Sequence, residues 1–486
     1  MYLYYKIFGA ARLAWHFLSL TVHVANSVLL YLIIIRLTSA AKIRYAAFAA
    51  LGTALLFSVS PYNTEVIVHE PCFHYTLGFF LLLIILVLVQ EFIHANKSKY
   101  AWWASLIFFL SSFSIEIFYV TPIFVFALAL YYRYVIKSDG PLFRKIFFYF
   151  FIPELIIFII HLALLFILTD HVVGHNLYFW IGNIHMNFLT KAPKYLFHIL
   201  LLGRFFPLPV KEQVYDFFSS GTGVSVFCGM LVLYYLYIGI CHRKISAKGW
   251  LTAMFATWTL LCVIIVCLLD FPDKQYVILD RYTYFMMPFI YVVVLLAIAR
   301  LNNKVTRLSL FGAYLVVNII FTVKMNIYWY LSSQITSNLV KTFPNTNDKK
   351  VLLLNVPENM NGIIMIGSQR SSAFKLMYDL ESDHPLTVPV YDVVSYNMST
   401  PFDGAHVIII NDSEIKVTLN QWGTWWWYNY QGAVSYSNSE YKLDMADVGH
   451  WYVLTVKHPA SEYLFLYQVG SEWKVLDWNK KNIDQY

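Results

Sequence analysis

Apolar runs of membrane-crossing length recur along this chain, and lysine and arginine occupy every second gap between them. The runs fall near 14–36, 44–60, 75–92, 100–115, 117–134, 146–169, 222–241, 250–269, 283–300 and 307–326. A hydrocarbon core takes roughly 20 apolar residues per helix, fewer where helices are short or paired. The gaps at Arg36/Lys42/Arg44, Lys97/Lys99, Arg133/Lys137/Arg144/Lys145, Arg243/Lys244/Lys248 and Arg300/Lys304/Arg307 are basic. The positive-inside rule assigns them to the cytoplasm. The gaps 61–74, 170–221 and 270–282 hold carboxylates, histidines, tyrosines and tryptophans instead, so chemistry is expected on the opposite side. With an even number of crossings, about 10, both chain ends are expected there too.

A content of 59% hydrophobic and 13% charged residues excludes an ordinary soluble globule. The net charge of +7 conceals a division: from Thr342 onward there are 10 Lys and Arg against 16 Asp and Glu, leaving 25 against 12 before it. That basic excess answers anionic lipid, and no basic face interleaved with aromatics suggests a nucleic-acid partner. None of the five cysteines, Cys72, Cys228, Cys241, Cys262 and Cys267, lies in the C-terminal region. They offer neither a disulfide framework nor a Cys/His zinc spacing. A disulfide-free exported domain favours a multi-pass protein of a bacterial inner membrane.

The expected fold is an α-helical polytopic membrane domain over 1–341, followed by a small β-rich or α/β extracytoplasmic domain over 342–486. Residues 341–348 (KTFPNTND) read as a polar, turn-prone linker. Beyond it, Val351–Asn355, Gly362–Ile366 and Val407–Asn411 read as strands and Ser371–Leu380 as a short helix. Tyr463–Val469 and Trp473–Leu476 read as a hairpin around Gly470-Ser471. Lys191–Phe206 carries apolar residues at helical spacing with Lys191, Lys194, His198 and Arg204 interspersed. It is expected to lie in the outer interface with its lysines snorkelling to headgroups, or else to form a short further span.

Ionisable residues near lipid are costly and mark sites. The first outer loop contains Glu65, His69, Glu70 and His74, with Glu65 and His69 spaced to share a helical face; a merely solvated loop is the plainer alternative. Glu116 sits between two apolar stretches, either at a site or capping a helix that starts at Ile117. Arg281, flanked by Tyr282 and Tyr284, offers a fork for a phosphate, unless it only pairs with Asp280 or anchors at the surface. His16 and His23 share a face of the first helix, where packing or helix contact outweighs metal binding.

His16-x6-His23-x2-Asn26, Pro61-x3-Glu65, Ser114-Ile115-Glu116, Asn183 with Tyr195-Leu196 and Pro207, and Asp280-Arg281-Tyr282-x-Tyr284-x3-Pro288 follow one another in this order. In that succession, residues 10–326 resemble the multi-spanning O-mannosyltransferases of the transmembrane-and-tetratricopeptide group and their bacterial relatives, in the GT-C superfamily of polyprenyl-phosphate-sugar glycosyltransferases. The last segment, similar to the group's Glu-Arg-Tyr-Leu-Tyr-Leu-Pro-Ser, is the most specific. The helical repeat array is absent here. The superfamily's catalytic aspartate follows a first helix, and residues 1–12 contain no Asp or Glu. The expectation is that a preceding helix is missing from this chain, or that the protein lacks its base.

The resemblance implies transfer of a sugar from a polyprenyl-phosphate donor to a hydroxyl of a protein, lipid or glycan, with inversion at the anomeric carbon. Arg281 would hold the phosphate with Lys274 as a weaker helper and Tyr282 alongside. Glu65 and Glu116 would serve catalysis at the acceptor, and His69 would orient Glu65. A divalent metal is compatible with the superfamily, although no ligand set is spelled out. The competing readings are an inactive or truncated scaffold, or a lipid-linked-sugar flippase. A flippase should carry polar groups through the midplane, whereas these runs read as nearly free of charge at their centres. Trp422, Trp425, Trp426 and Trp427 form an aromatic patch suited to sugar stacking, bilayer contact or a core.

Overall fold

A computed structural model describes residues 6, 12–69, 72–114, 116–136, 140–169, 177–241, 246–267, 280–366, 373–381, 385–419, 424–425, 435–446, 451–480 and 484–485. The chain forms two compact units that divide between Val323 and Lys324.

The first unit is helical. Its helices are α1 (Arg12–Ala40), α2 (Ala46–Ser58), α3 (Thr64–Val68), α4 (Phe73–Ala95), α5 (Lys99–Ser111), α6 (Thr121–Tyr134), α7 (Gly140–Ile146), α8 (Ile152–Thr169), α9 (Leu177–Leu200), α10 (Leu208–Ser219), α11 (Gly221–Cys241), α12 (Ala247–Cys267) and α13 (Met287–Ile298), with α14 (Lys304–Lys341) continuing into the second unit. Among the described residues, five segments are long and apolar enough to cross a bilayer: Leu13–Ala40, Phe73–Ala95, Pro141–Leu168, Ala247–Ile264 and Lys304–Lys341. The α10–α11 pair, bent by 72°, makes a sixth if taken as one span. Ala46–Ser58, Phe118–Tyr134 and Met287–Ile298 are apolar but shorter. At about 1.5 Å per residue such helices fall short of a hydrocarbon core of about 30 Å. Ile159, Ile160, Leu164 and Leu168 on α8 and Val316, Ile320 and Val323 on α14 are exposed. Apolar surface on that scale is matched by lipid rather than water.

Side-chain contacts join the basic gaps to one another. Arg307 lies 3.7 Å from the Tyr45 ring centroid, and Lys145 donates to Asn96 Oδ1 at 3.0 Å. Arg36 pairs with Glu91 at 2.7 Å, and Tyr134 stacks on Trp250. The acidic gaps likewise meet one another, as the site below shows. The alternation in sequence thus corresponds to two chemically distinct ends of the unit.

The second unit opens with the last turns of α14. Phe343 in the connecting segment packs against Phe374 and Tyr378, and Asn347 and Asp348 turn the chain in left-handed conformations. Three sheets follow: β13 (Glu472–Val475), β12 (Tyr463–Val469), β1 (Lys350–Leu353) and β4 (Val390–Asp392) in that order; β6 (Ala405–Ile409), β7 (Glu414–Leu419), β11 (Trp451–Val456), β10 (Tyr441–Met445) and β9 (Tyr436–Ser437); and β3 (Ile363–Ile364), β2 (Val356–Met360), β5 (Ser395–Met398) and β8 (Thr424–Trp425). Central β1 (Lys350–Leu353) pairs in parallel with both β12 (Tyr463–Val469) and β4 (Val390–Asp392). Side chains alternate across a strand. Leu352 and Phe465 therefore join the core over β6 (Ala405–Ile409), β7 (Glu414–Leu419), β10 (Tyr441–Met445) and β11 (Trp451–Val456). Val351, Leu353 and Leu466 join the opposite core with Tyr396, Met398, Phe374 of α15 (Ala373–Glu381) and Ile335 and Leu339 of α14. Burial on both faces explains the unbroken apolar run Val351–Leu354.

The expected hairpin forms between β12 and β13 (Glu472–Val475), with Gly470 at φ +59° in its turn. Gly404 is required where its backbone pairs with Val469: a Cβ there would lie 2.7 Å from the Val469 Cα. The short helix is described over Ala373–Glu381; Ser371 lies outside the described residues. Trp422, Trp426 and Trp427 also lie outside them.

Candidate functional site

The site is assembled where two short 3-10 turns meet. Pro61, fixed in φ, opens the turn Pro61–Asn63, and Thr64 Oγ1 donates to the Pro61 carbonyl at 2.9 Å. This launches α3 with Glu65 in its first turn, where a carboxylate suits the helix dipole. The second turn, Asp280–Thr283, is closed by Thr283 Oγ1 donating to the Asp280 carbonyl at 2.7 Å. The two segments pack directly together.

Glu65 is buried and is held by Arg281 twice. The Arg281 backbone N–H donates to Glu65 Oε2 at 2.9 Å, and Nη1 donates to Oε1 at 3.2 Å. Arg281 thus pairs with Glu65 and not with its neighbour Asp280. Burial, the largest single influence, works against the guanidinium charge, but Glu65 together with Tyr282, Cys72 and Tyr75 outweighs it and holds the Arg281 pKa above the ordinary arginine value. The guanidinium also lies 5.2 Å from the Tyr282 ring centroid. His69 ends α3, its N–H bonded to the Glu65 carbonyl at 2.9 Å. Burial, then the Arg281 charge, lowers the His69 pKa to about 4. The Cys72 thiol is pushed up to about 12, first by burial and then by Glu65, so it is no ready nucleophile.

Asp280 turns the other way. It is buried, ion-paired to Arg204 Nη1 through Oδ2, and within 3.2 Å of His198 Nε2 through Oδ1. Burial first, then Arg204 and Lys211, hold the His198 pKa well below its ordinary value. The ring is therefore neutral near pH 7, and this contact is a hydrogen bond with Nε2–H donating rather than an ion pair. Tyr62 donates to the His198 carbonyl. Burial and then Arg204 lower the Lys211 pKa to about 8. Lys191 and Lys194 are buried, and Lys194 donates to Ser219 Oγ at 2.6 Å. These two lysines do not snorkel to headgroups as the sequence suggested: they face inward from α9 because α10 folds back against it.

One shell deeper, Tyr284 ties the Arg281 turn to α1. Its hydroxyl accepts from Asn26 Nδ2 at 3.1 Å and lies 2.9 Å from His23 Nδ1. With His23 Nε2 facing the Ser58 carbonyl at 3.4 Å, the consistent tautomer carries its proton on Nε2 and accepts from Tyr284 on Nδ1. His23 is thus a helix-contact group. Tyr284→Phe would leave His23 Nδ1 without its donor, while Asn26 Nδ2 keeps its bond to the Thr76 carbonyl at 3.0 Å, and is expected to cost about 1–2 kcal/mol in chemical unfolding of the purified protein. Because the folded-state pKa of His69 lies below its unfolded value, the unfolded chain binds the extra proton. Stability should therefore fall as pH drops from about 6.5 to about 4, and His69→Gln should flatten that slope in melting curves.

Lys274 lies outside the described residues. The backbone of Glu116 begins a 3-10 turn, Glu116–Val120, ahead of α6 at Thr121 rather than a helix starting at Ile117, and its side chain lies outside the described residues. Ser114 and Phe118, on either side of it, line a largely apolar groove of about 500 Å³ with Phe113, Ile157, His161 and Leu164. No group of three His, Cys, Asp or Glu among the described residues is placed to hold a metal ion.

Sequence reasoning missed Glu154, which is fully buried inside the Pro141–Leu168 span with neither carboxylate oxygen hydrogen-bonded among the described residues. A turn of π-helix, Phe147–Phe151, precedes it. The expectation of spans nearly free of charge at their centres fails at this residue. One carboxylate hardly changes the mean hydropathy of so apolar a run, so the apolar pattern of the sequence does not reveal it.

No protein-family model matches the chain, and no curated protein matches it.

Proposed function

We propose that this protein is a membrane glycosyltransferase that moves a sugar from a polyprenyl-phosphate donor to an acceptor hydroxyl on the extracytoplasmic side, in a multi-pass fold of about 10 crossings. The observation that carries this reading is the pairing of Glu65 with Arg281 at the meeting point of the two acidic connectors. The guanidinium is fixed in direction by a buried carboxylate, one residue along from Asp280, which pairs with Arg204 and His198.

In the proposed reaction the acceptor oxygen bonds to the anomeric carbon while the bond from that carbon to the phosphate oxygen breaks. The electron pair leaves with the lipid phosphate. Arg281 neutralises that charge, and preorganisation by Glu65 removes the cost of orienting it during reaction. Glu65 therefore acts chiefly as a positioning residue. Glu116, at the turn beside the apolar groove, remains the carboxylate assigned to the acceptor proton. The groove offers room for part of an isoprenoid tail.

The test is the purified full chain in vesicles with radiolabelled polyprenyl-phosphate mannose, scoring release of lipid phosphate together with label on an acceptor. Release that is lost in Arg281→Ala supports the proposal; turnover unchanged by that substitution removes the phosphate role. Glu154 favours a second reading, a lipid-linked-sugar flippase, because a buried carboxyl inside a span is what a transport path requires. Movement of the donor across the vesicle without sugar transfer would select it.

A further inference from the structure

The second unit contains a cleft of about 350 Å³ between the end of α14 and two loops of the β-domain. Its walls combine three neutral hydrogen-bonding side chains and an aromatic ring with the apolar Leu331, Ile335, Pro401 and Val469. Gln334 and Asn338 stand one helical turn apart on α14, so their amides project from the same face. Ser471 faces them from the β12–β13 turn, beside Gly470. None of these three side chains has a hydrogen-bond partner among the described residues. Phe402, on the loop before β6, leaves 78% of its surface exposed at the rim. The lining carboxylate, Glu472, pairs with Lys474 at 3.0 Å.

An anion would find no uncompensated cation among these lining groups, and an apolar ligand would strand three polar side chains. Paired amides and a hydroxyl suit vicinal hydroxyls, which donate and accept at once, and an exposed ring suits the apolar face of a pyranose. The volume suits one or two hexose units. We propose that this cleft binds a neutral carbohydrate, with Phe402 stacking on a sugar ring and Gln334, Asn338 and Ser471 bonding its hydroxyls. The cleft lies wholly within the second unit, so the proposal stands whether or not the membrane unit transfers sugar.

The test uses the full chain purified in a zwitterionic detergent, since alkyl glycosides would occupy the site. It is screened on an array of neutral oligosaccharides and then titrated with the best retained oligosaccharide and with the methyl glycoside of its terminal hexose. Saturable binding is expected, weakened about tenfold or more by Phe402→Ala and comparably by Gln334→Ala, with melting temperatures unchanged because both side chains are exposed. Binding of the methyl glycoside alone at full strength would identify a terminal sugar; dependence on chain length would identify a glycan chain. Failure of every neutral oligosaccharide to bind, or binding indifferent to both substitutions, would overturn the proposal.

Discussion

Arg281→Ala is expected to lower sugar transfer by about 10²–10³-fold, the range found when a preorganised donor to a developing negative charge is removed. The substitution has a second consequence. Glu65 is 5% exposed and loses the guanidinium, keeping only the backbone N–H of position 281 as its donor. The single variant should therefore lose stability as well as activity, because an unpaired buried carboxylate is costly. Arg281→Ala combined with Glu65→Gln removes both charges and should recover much of the stability while remaining inactive. Arg281→Lys keeps the charge but not the fork and should fall between. Recovery of transfer in the double variant would show that the pair is structural only.

Asp280→Ala is expected to cost about 3–5 kcal/mol in unfolding free energy. The carboxylate is 1% exposed and serves the Arg204 guanidinium and the His198 Nε2–H together. Its loss leaves a largely buried cation beside half-buried Lys211 with no compensating charge from that position. Arg204→Met should be similarly harmful, for the opposite reason. The double variant should be less damaged than the sum of the two, since it leaves neither partner stranded. Denaturant titration in detergent measures all three; an Asp280→Ala loss below about 0.5 kcal/mol would mean that the triad is solvated and energetically idle.

Much of the helical layout was legible because hydropathy and charge act locally. The basic gaps meet each other through contacts such as Arg307 with Tyr45, and the acidic gaps through Glu65 with Arg281. Alternation in sequence foretold which connectors would share an end. Partner choice was not legible. Glu65 and Arg281 lie 216 positions apart, and nothing in either segment names the other. His198 and Arg204 looked like interfacial residues on an amphipathic helix, because their burial depends on α10 folding back over α9.

In the second unit, Val351–Leu354 reads as a buried strand from its composition alone. Its parallel pairing with β12, more than a hundred residues on, has no signature in a period-2 pattern. The hairpin at Gly470-Ser471 was legible because its strands are adjacent and glycine accepts the positive φ.

The sidedness of the Glu65–Arg281 end bears most directly on this reading. Val210, exposed and next to Lys211, and Asn302, exposed between α13 and α14, can each be replaced by cysteine in a chain whose five native cysteines are serine. Intact cells are then treated with a membrane-impermeant maleimide. Val210→Cys should label at once and Asn302→Cys only after permeabilisation. Labelling of Asn302→Cys in intact cells, with Val210→Cys protected, would put the site in the cytosol and contradict the proposed reaction.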